Sequence, residues 1–109
     1  EVYEMGNVYC ASKHAVDAIS KGMRIDLLNE GIKVTSINPG LVETEFSIVR
    51  FHGDKEKAKL PYKGMKPLTG EDVANVIWHT VNLPEHVNIN DLVMTATAQA
   101  NSLYVKRDD

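Results

Sequence analysis

An apolar-striped helix, a glycine turn, a short β-rich run and a Pro-Gly stop follow one another almost without spacers between residues 8 and 40, and this order restricts the fold more than any other feature of the chain. Val8, Ala11, Ala15, Ala18, Ile19, Gly22, Met23 and Leu27 recur at three- and four-residue steps, the period of one helix with a single buried stripe. The spacing predicts a helix over residues 8–30. Gly31 supplies the left-handed position that ends many helices. Lys33-Val34-Thr35-Ser36-Ile37-Asn38 is of strand length, 33–38, and Pro39-Gly40 stops it. In an α/β protein such an order delivers the residues after the strand to the carboxyl edge of a parallel sheet, where these folds hold their ligands.

Residues 41–67 mix apolar and charged side chains and are broken by Gly53, Pro61, Gly64 and Pro67. They are expected to form a substrate lid of short helices and loops, because a long irregular excursion in a compact domain is usually functional. Thr69-Gly70-Glu71-Asp72 matches a capping box, and Val73, Val76, Ile77 and Val81 mark the inner face of a second helix, 70–82, that ends before Pro84. Leu92-Val93-Met94-Thr95-Ala96 predicts a buried strand within 90–97. The tail after Gln99 carries little signal, and Lys106-Arg107-Asp108-Asp109 is expected to fray. Two parallel strands with one crossover cannot bury both faces of a sheet. The expectation is therefore an α/β chain that represents the C-terminal segment of a doubly wound parallel sheet with flanking helices, cut internally at Glu1, with the upstream strands absent.

Composition narrows the partners. A chain of 109 residues with 43% hydrophobic and 25% charged residues is ordinary for a globular domain. Its net charge is −3 and its basic residues form no stripe, so no nucleic-acid partner is expected. Cys10 is alone, which points to a reducing compartment and the cytoplasm. No apolar run approaches the roughly 20 residues that cross a bilayer, and the first residues do not resemble a signal peptide. His14, His52, His79 and His86 lack metal-ligand spacing, so no metal is expected.

Tyr9 and Lys13 lie four residues apart near the start of the first helix, which puts both on one face about one turn apart. An unperturbed phenol titrates near 10, and a cation within about 4–6 Å favours the phenolate. Such a pair suits proton exchange with an alcohol or carbonyl oxygen. Tyr62 and Lys66 repeat the spacing, but Gly64 and Pro67 leave them without a helix to align them. Cys10, next to Tyr9, is expected to point about 100° away around the helix and to pack.

Tyr9-Cys10-Ala11-Ser12-Lys13-His14-Ala15, followed by Asn38-Pro39-Gly40-Leu41-Val42-Glu43-Thr44, resembles the short-chain dehydrogenase/reductase family, with its Tyr-x-Ala-Ser-Lys helix and a sixth strand ending in Pro-Gly. The resemblance covers nearly the whole chain and implies a Rossmann-type fold. It implies that Tyr9 exchanges the substrate proton, and that Lys13 supports the phenolate and hydrogen-bonds the nicotinamide ribose. It places Tyr9, Lys13, Pro39, Gly40, Val42 and Thr44 against the cofactor. Gly40-Leu41-Val42-Glu43-Thr44-Glu45-Phe46-Ser47, Val49-Arg50-Phe51 and Leu83-Pro84-Glu85-His86-Val87-Asn88-Ile89-Asn90 are similar to the branch of NADP-dependent 3-hydroxy acid and serine/allo-threonine dehydrogenases. That branch implies NADP, with NAD as the alternative. It also implies a small hydroxy acid or amino acid substrate and a homo-oligomer, tetramer or dimer. A substrate carboxylate there calls for an arginine fork, and Arg50 in the lid is the candidate clamp.

Two family features are missing from the sequence: the Ser about a dozen residues before the Tyr, and the G-x-x-x-G-x-G cofactor turn. This polypeptide alone is accordingly expected to be inactive. Two other readings remain open: a family member acting on a steroid, sugar or acyl carbonyl, and a truncated relative with a binding or assembly role.

Overall fold

The structure, a computed structural model, describes residues 1–108; Asp109, the last residue of the tail expected to fray, lies outside the described residues. The chain divides into two compact units, Glu1–Asn38 with Leu83–Leu92, and Pro39–Asn82 with the residues from Val93 on. The division falls within strands β1 (Ser36–Pro39) and β4 (Asp91–Met94), which pair in a two-stranded sheet although they are far apart in sequence.

In the first unit, helix α1 covers Asn7–Asp26. The expected helix over 8–30 is split: Leu27 closes α1 on Met23 O at 2.9 Å, a 3-10 turn runs over Leu28–Glu30, and Gly31 ends it at φ 65°. Tightening the last turn uses carbonyls that a helix end leaves without partners. The strand expected over 33–38 pairs regularly only from Ser36, whose N–H donates to Asn90 O at 3.0 Å. Before it, side chains hold the backbone. Asn88 accepts from Val34 N–H and donates to Val34 O, both at 3.0 Å, and the Lys33 ammonium binds the Pro84 carbonyl at 2.7 Å. Arg24 joins helix to strand by donating to Asn90 O at 2.8 Å.

The stripe on α1 is not buried. Val8 is 78% and Ile19 59% exposed, Met23, Ala11, Ala15 and Ala18 are exposed too, and only Gly22 and Leu27 are half-buried. A two-stranded sheet with strands of four residues is too narrow a layer to cover a 20-residue helix. Cys10 is the one buried residue of α1.

In the second unit, β2 (Val42–Glu43) pairs in parallel with β3 (Leu68–Thr69), Val42 opposite Leu68 and Glu43 opposite Thr69. Between them lie α2 (Phe46–Arg50), α3 (Lys55–Lys59) and a 3-10 turn over Leu60–Tyr62. The stretch expected to be only short helices and loops is thus also anchored by a strand pair. Helix α4 (Gly70–Val81) starts from the complete capping box: Thr69 Oγ1 accepts from Asp72 N–H at 3.2 Å, and the Asp72 carboxylate accepts from Thr69 N–H at 2.8 Å. Of its expected inner face, Val73 and Val76 are half-buried whereas Ile77 and Val81 are exposed, and Thr80 is buried with its hydroxyl on Val76 O.

β4 is shorter than 90–97. The chain turns after it, with Gln99 N–H on Ala96 O at 2.9 Å, and of the expected buried run only Ala96 is buried while Val93 is exposed. Through Asp108 the tail is bonded rather than frayed. Gln99 and Val105 form an antiparallel bridge, Lys106 N–H donates to Ala98 O and Asp108 N–H to Gly64 O, each at 2.7 Å, and Arg107 donates to Lys63 O.

Candidate active site

The first unit carries Tyr9 and Lys13. A left-handed Met5 at φ 60° and a Gly6 N–H bond to Tyr3 O at 3.2 Å turn the chain into α1. A Cβ on Gly6 would overlap the Tyr3 ring, so glycine there lets that ring lie over the helix start. The Tyr3 and Tyr9 ring centroids stand 6.3 Å apart, tilted by 46°, an offset contact that aromatic quadrupoles favour. One turn on, Lys13 Nζ sits 5.5 Å from the centroid of the Tyr9 ring, within the range of a cation–π contact. Tyr9 is 39% exposed and Lys13 is exposed, so the phenol and the amine both face solvent. Ser12 of the same motif donates its hydroxyl to Tyr9 O at 2.7 Å. Sequence reasoning paired Tyr9 with Lys13 and missed Tyr3 and Gly6, although a glycine just ahead of a helix is a turn signal.

The second unit carries Pro39, Gly40, Val42, Thr44 and Arg50. Pro39 closes β1 and is exposed. Gly40 N–H donates to Met94 O at 2.8 Å, and Leu41 O accepts from Leu68 N–H at 3.0 Å. Leu41 N–H donates to the side-chain Oε1 of Gln99 at 2.8 Å. Val42 lies in β2, and its carbonyl accepts from the Tyr62 hydroxyl at 2.9 Å. Thr44 is exposed; its hydroxyl accepts from Phe46 N–H at 3.2 Å just ahead of α2, whose cap residue is Glu45. Arg50 is the exposed last residue of α2.

Tyr62, in the second Tyr-x-x-x-Lys match, stands in a 3-10 turn and not on a helix. Its hydroxyl donates to Val42 O and meets the buried Ser47 Oγ at 2.8 Å. It is a fastener within residues 41–67. Gln99 was missed altogether, since nothing local marks a glutamine in a tail as the partner of an amide 58 positions away. Among the described residues there is no cluster of metal-ligating side chains, and no helix is long and apolar enough to cross a membrane.

The short chain dehydrogenase family model matches residues 1–55, the segment that holds Tyr9, Lys13 and the Pro39–Thr44 turn. The chain is 48% identical over 99 residues to the NADP-dependent 3-hydroxy acid dehydrogenase of Escherichia coli, covering 90% of this chain and 40% of that protein. It is 42% identical over 107 residues to the NADP-dependent 3-hydroxy acid dehydrogenase of Schizosaccharomyces pombe, covering 98% of this chain and 41% of the relative. A solved structure of a serine dehydrogenase in its closed form, complexed with NADP+, superposes with a TM-score of 0.89 at 45% identity, over 99% of this chain and 44% of the other. The chain therefore spans less than half the length of the relatives it matches, and what it matches is a portion of their Rossmann-type fold. With its Tyr-x-x-x-Lys helix and Pro-Gly strand end inside the matched segment, the chain belongs to the short-chain dehydrogenase family.

Proposed function

We propose that this chain is the C-terminal part of a subunit that oxidises a small 3-hydroxy acid or β-hydroxy amino acid with NADP+, reversibly, and that Tyr9 is its proton-exchanging acid/base. The observation that carries the reading is the Tyr9 and Lys13 pair, solvent-facing and one helical turn apart, with the ammonium 5.5 Å from the ring. A phenol held beside a fixed cation can give a proton to a forming alkoxide or take one from an alcohol.

The groups that suit the nicotinamide end of the cofactor are, in the first unit, the Lys13 amine and, in the second, the Thr44 hydroxyl and the backbone of Pro39, Gly40 and Val42, of which Pro39 and Thr44 are exposed and Gly40 and Val42 half-buried. The chain holds no glycine-rich phosphate cradle, so the diphosphate end is assigned to the part of the subunit outside this chain. When bound, the nicotinamide accepts or returns the hydride. What this chain contributes is orientation by the Pro39–Thr44 turn and the proton at Tyr9 Oη. The family and the NADP-dependent relatives support NADP as the cofactor. A homo-oligomer, which the resemblance implies, and a cytoplasmic location, to which the lone Cys10 points, belong to the same proposal.

Arg50 is proposed to bind the substrate carboxylate with its planar fork. In the complete gene product, a panel of 3-hydroxy acids, serine and uncharged alcohols assayed with NADP+ should show preference for the carboxylate-bearing substrates. Arg50→Ala should raise KM for them by roughly tenfold or more, the loss of one charge-assisted pair, and leave the uncharged alcohols unaffected. Equal use of charged and uncharged alcohols would remove the hydroxy acid assignment, and an unchanged KM in Arg50→Ala would remove the clamp.

A further inference from the structure

We propose that Gln99 is a positioning residue for the cofactor: its buried amide clamps the turn that receives the nicotinamide, and it does so from a C-terminal tail also fastened to the lid. The proposal rests on the assignment of residues 39–44 to NADP(H) made above.

The two amides that follow Pro39 are both committed. Gly40 N–H is held by the strand through Met94 O. Leu41 N–H, which no strand serves, is held by Gln99 Oε1 at 2.8 Å. Gln99 is only 8% exposed, and its amide nitrogen donates to Asn101 O at 3.2 Å. The amide orientation is fixed by these two partners, since a flipped group would set donor against donor and acceptor against acceptor.

Gly40 is explained by the same contact. A Cβ there would overlap Gln99 Oε1 and stand 3.1 Å from Thr95 Cγ2, so only glycine lets the glutamine lie flat against the turn. Gly40 is not among the residues with positive φ, and close approach, not backbone freedom, accounts for it.

The tail is built to hold that side chain still. Asn101 Oδ1 accepts from the N–H groups of Leu103 and Tyr104, both at 2.9 Å, and Ala100 N–H donates to Tyr104 O at 2.9 Å, closing the hairpin that carries Gln99. Farther along the same tail, Arg107 and Asp108 bind the backbone of Lys63 and Gly64 in the lid. One segment thus fastens the nicotinamide turn at one end and the end of the lid at the other. Removing the glutamine acceptor leaves Leu41 N–H buried without a partner or free to rotate, and either outcome loosens the turn before any cofactor arrives.

The test uses the complete gene product. Gln99→Met keeps length and volume but offers no amide; Gln99→Asn keeps the amide but is one methylene too short to hold Leu41 N–H from the same place. In the cofactor-free protein, hydrogen exchange at Leu41 should be at least about tenfold faster in Gln99→Met and in Gln99→Asn. By equilibrium dialysis the Kd for NADP+ should rise roughly tenfold in both variants, with KM for the hydroxy acid unchanged. Unaltered Leu41 exchange, or wild-type NADP+ affinity in Gln99→Met, overturns the proposal. If Gln99→Met does not fold, Gln99→Asn decides alone: faster Leu41 exchange with weakened NADP+ binding supports the clamp, and wild-type values of both overturn it. A wild-type protein that binds no NADP+ sinks the parent assignment, whereas wild-type binding matched by Gln99→Met sinks only this one.

Discussion

Tyr9 and Tyr62 are each followed four positions on by a lysine, and the two tyrosines are put to different uses. Tyr9 stands on α1 with Lys13 against its ring, open to solvent. Tyr62 stands in a 3-10 turn with its hydroxyl shared between Val42 O and Ser47. Replacing Tyr62 by Phe leaves the Val42 carbonyl and the buried Ser47 hydroxyl each short of a partner, a loss on the order of 1 kcal/mol in unfolding free energy. Denaturant melts of Tyr62→Phe should register that loss while turnover falls by less than about tenfold, far below the effect of a lost proton donor. A collapse of turnover with unchanged stability would mean that Tyr62 does chemistry. The sequence discriminated the pairs because Gly64 and Pro67 deny Tyr62 a helix. It could not reveal Tyr3 or Gln99, whose importance comes from a ring laid over Gly6 and an amide bonded 58 positions away.

Among the elements, those specified by neighbouring residues were legible and those specified at a distance were not. The capping box at Thr69 and Asp72 is a four-residue signal and forms as such. The start of β1 was misplaced because Val34 is held by Asn88 and Lys33 by Pro84, side-chain bonds that no local pattern announces. The pairing of β2 with β3 was not legible because two-residue strands carry no period.

The capping box also makes a pH prediction. The backbone N–H of Thr69, then its hydroxyl, hold the Asp72 carboxyl below the usual carboxylate range, with Lys66 adding a smaller pull. A carboxylate depressed in the folded state stabilises the fold fully above its unfolded-state value, and that stabilisation is lost as pH falls through the folded-state value. Thermal melts between about pH 5 and pH 3 should therefore show a smaller acid-induced drop in Asp72→Asn than in wild type. At neutral pH Thr69→Ala should lower stability by about 1 kcal/mol. Identical acid sensitivity in Asp72→Asn and wild type would show that the carboxylate does not hold the start of α4.

At the scale of the molecule, the α/β class was legible from the order of helix, turn, strand and Pro-Gly stop, and the family match bears it out over residues 1–55. Burial was not legible. The stripe on α1 reads as a buried face, yet Val8 and Ile19 are exposed, because the residues that would cover a face are as much a part of burial as the face itself. A chain that spans about two fifths of its relatives' length has the Tyr-Lys pair and the Pro-Gly turn of the family and lacks its glycine-rich turn. The proposed activity is consequently a property of the complete gene product, and there the central claim can be met directly. Tyr9→Phe keeps the ring that meets Tyr3 and Lys13 and removes only the hydroxyl proposed to exchange the proton. Steady-state oxidation of a 3-hydroxy acid by NADP+ should fall by about 10²–10⁴-fold in kcat, with NADP+ affinity near wild type. Turnover by Tyr9→Phe at the wild-type rate would contradict the account.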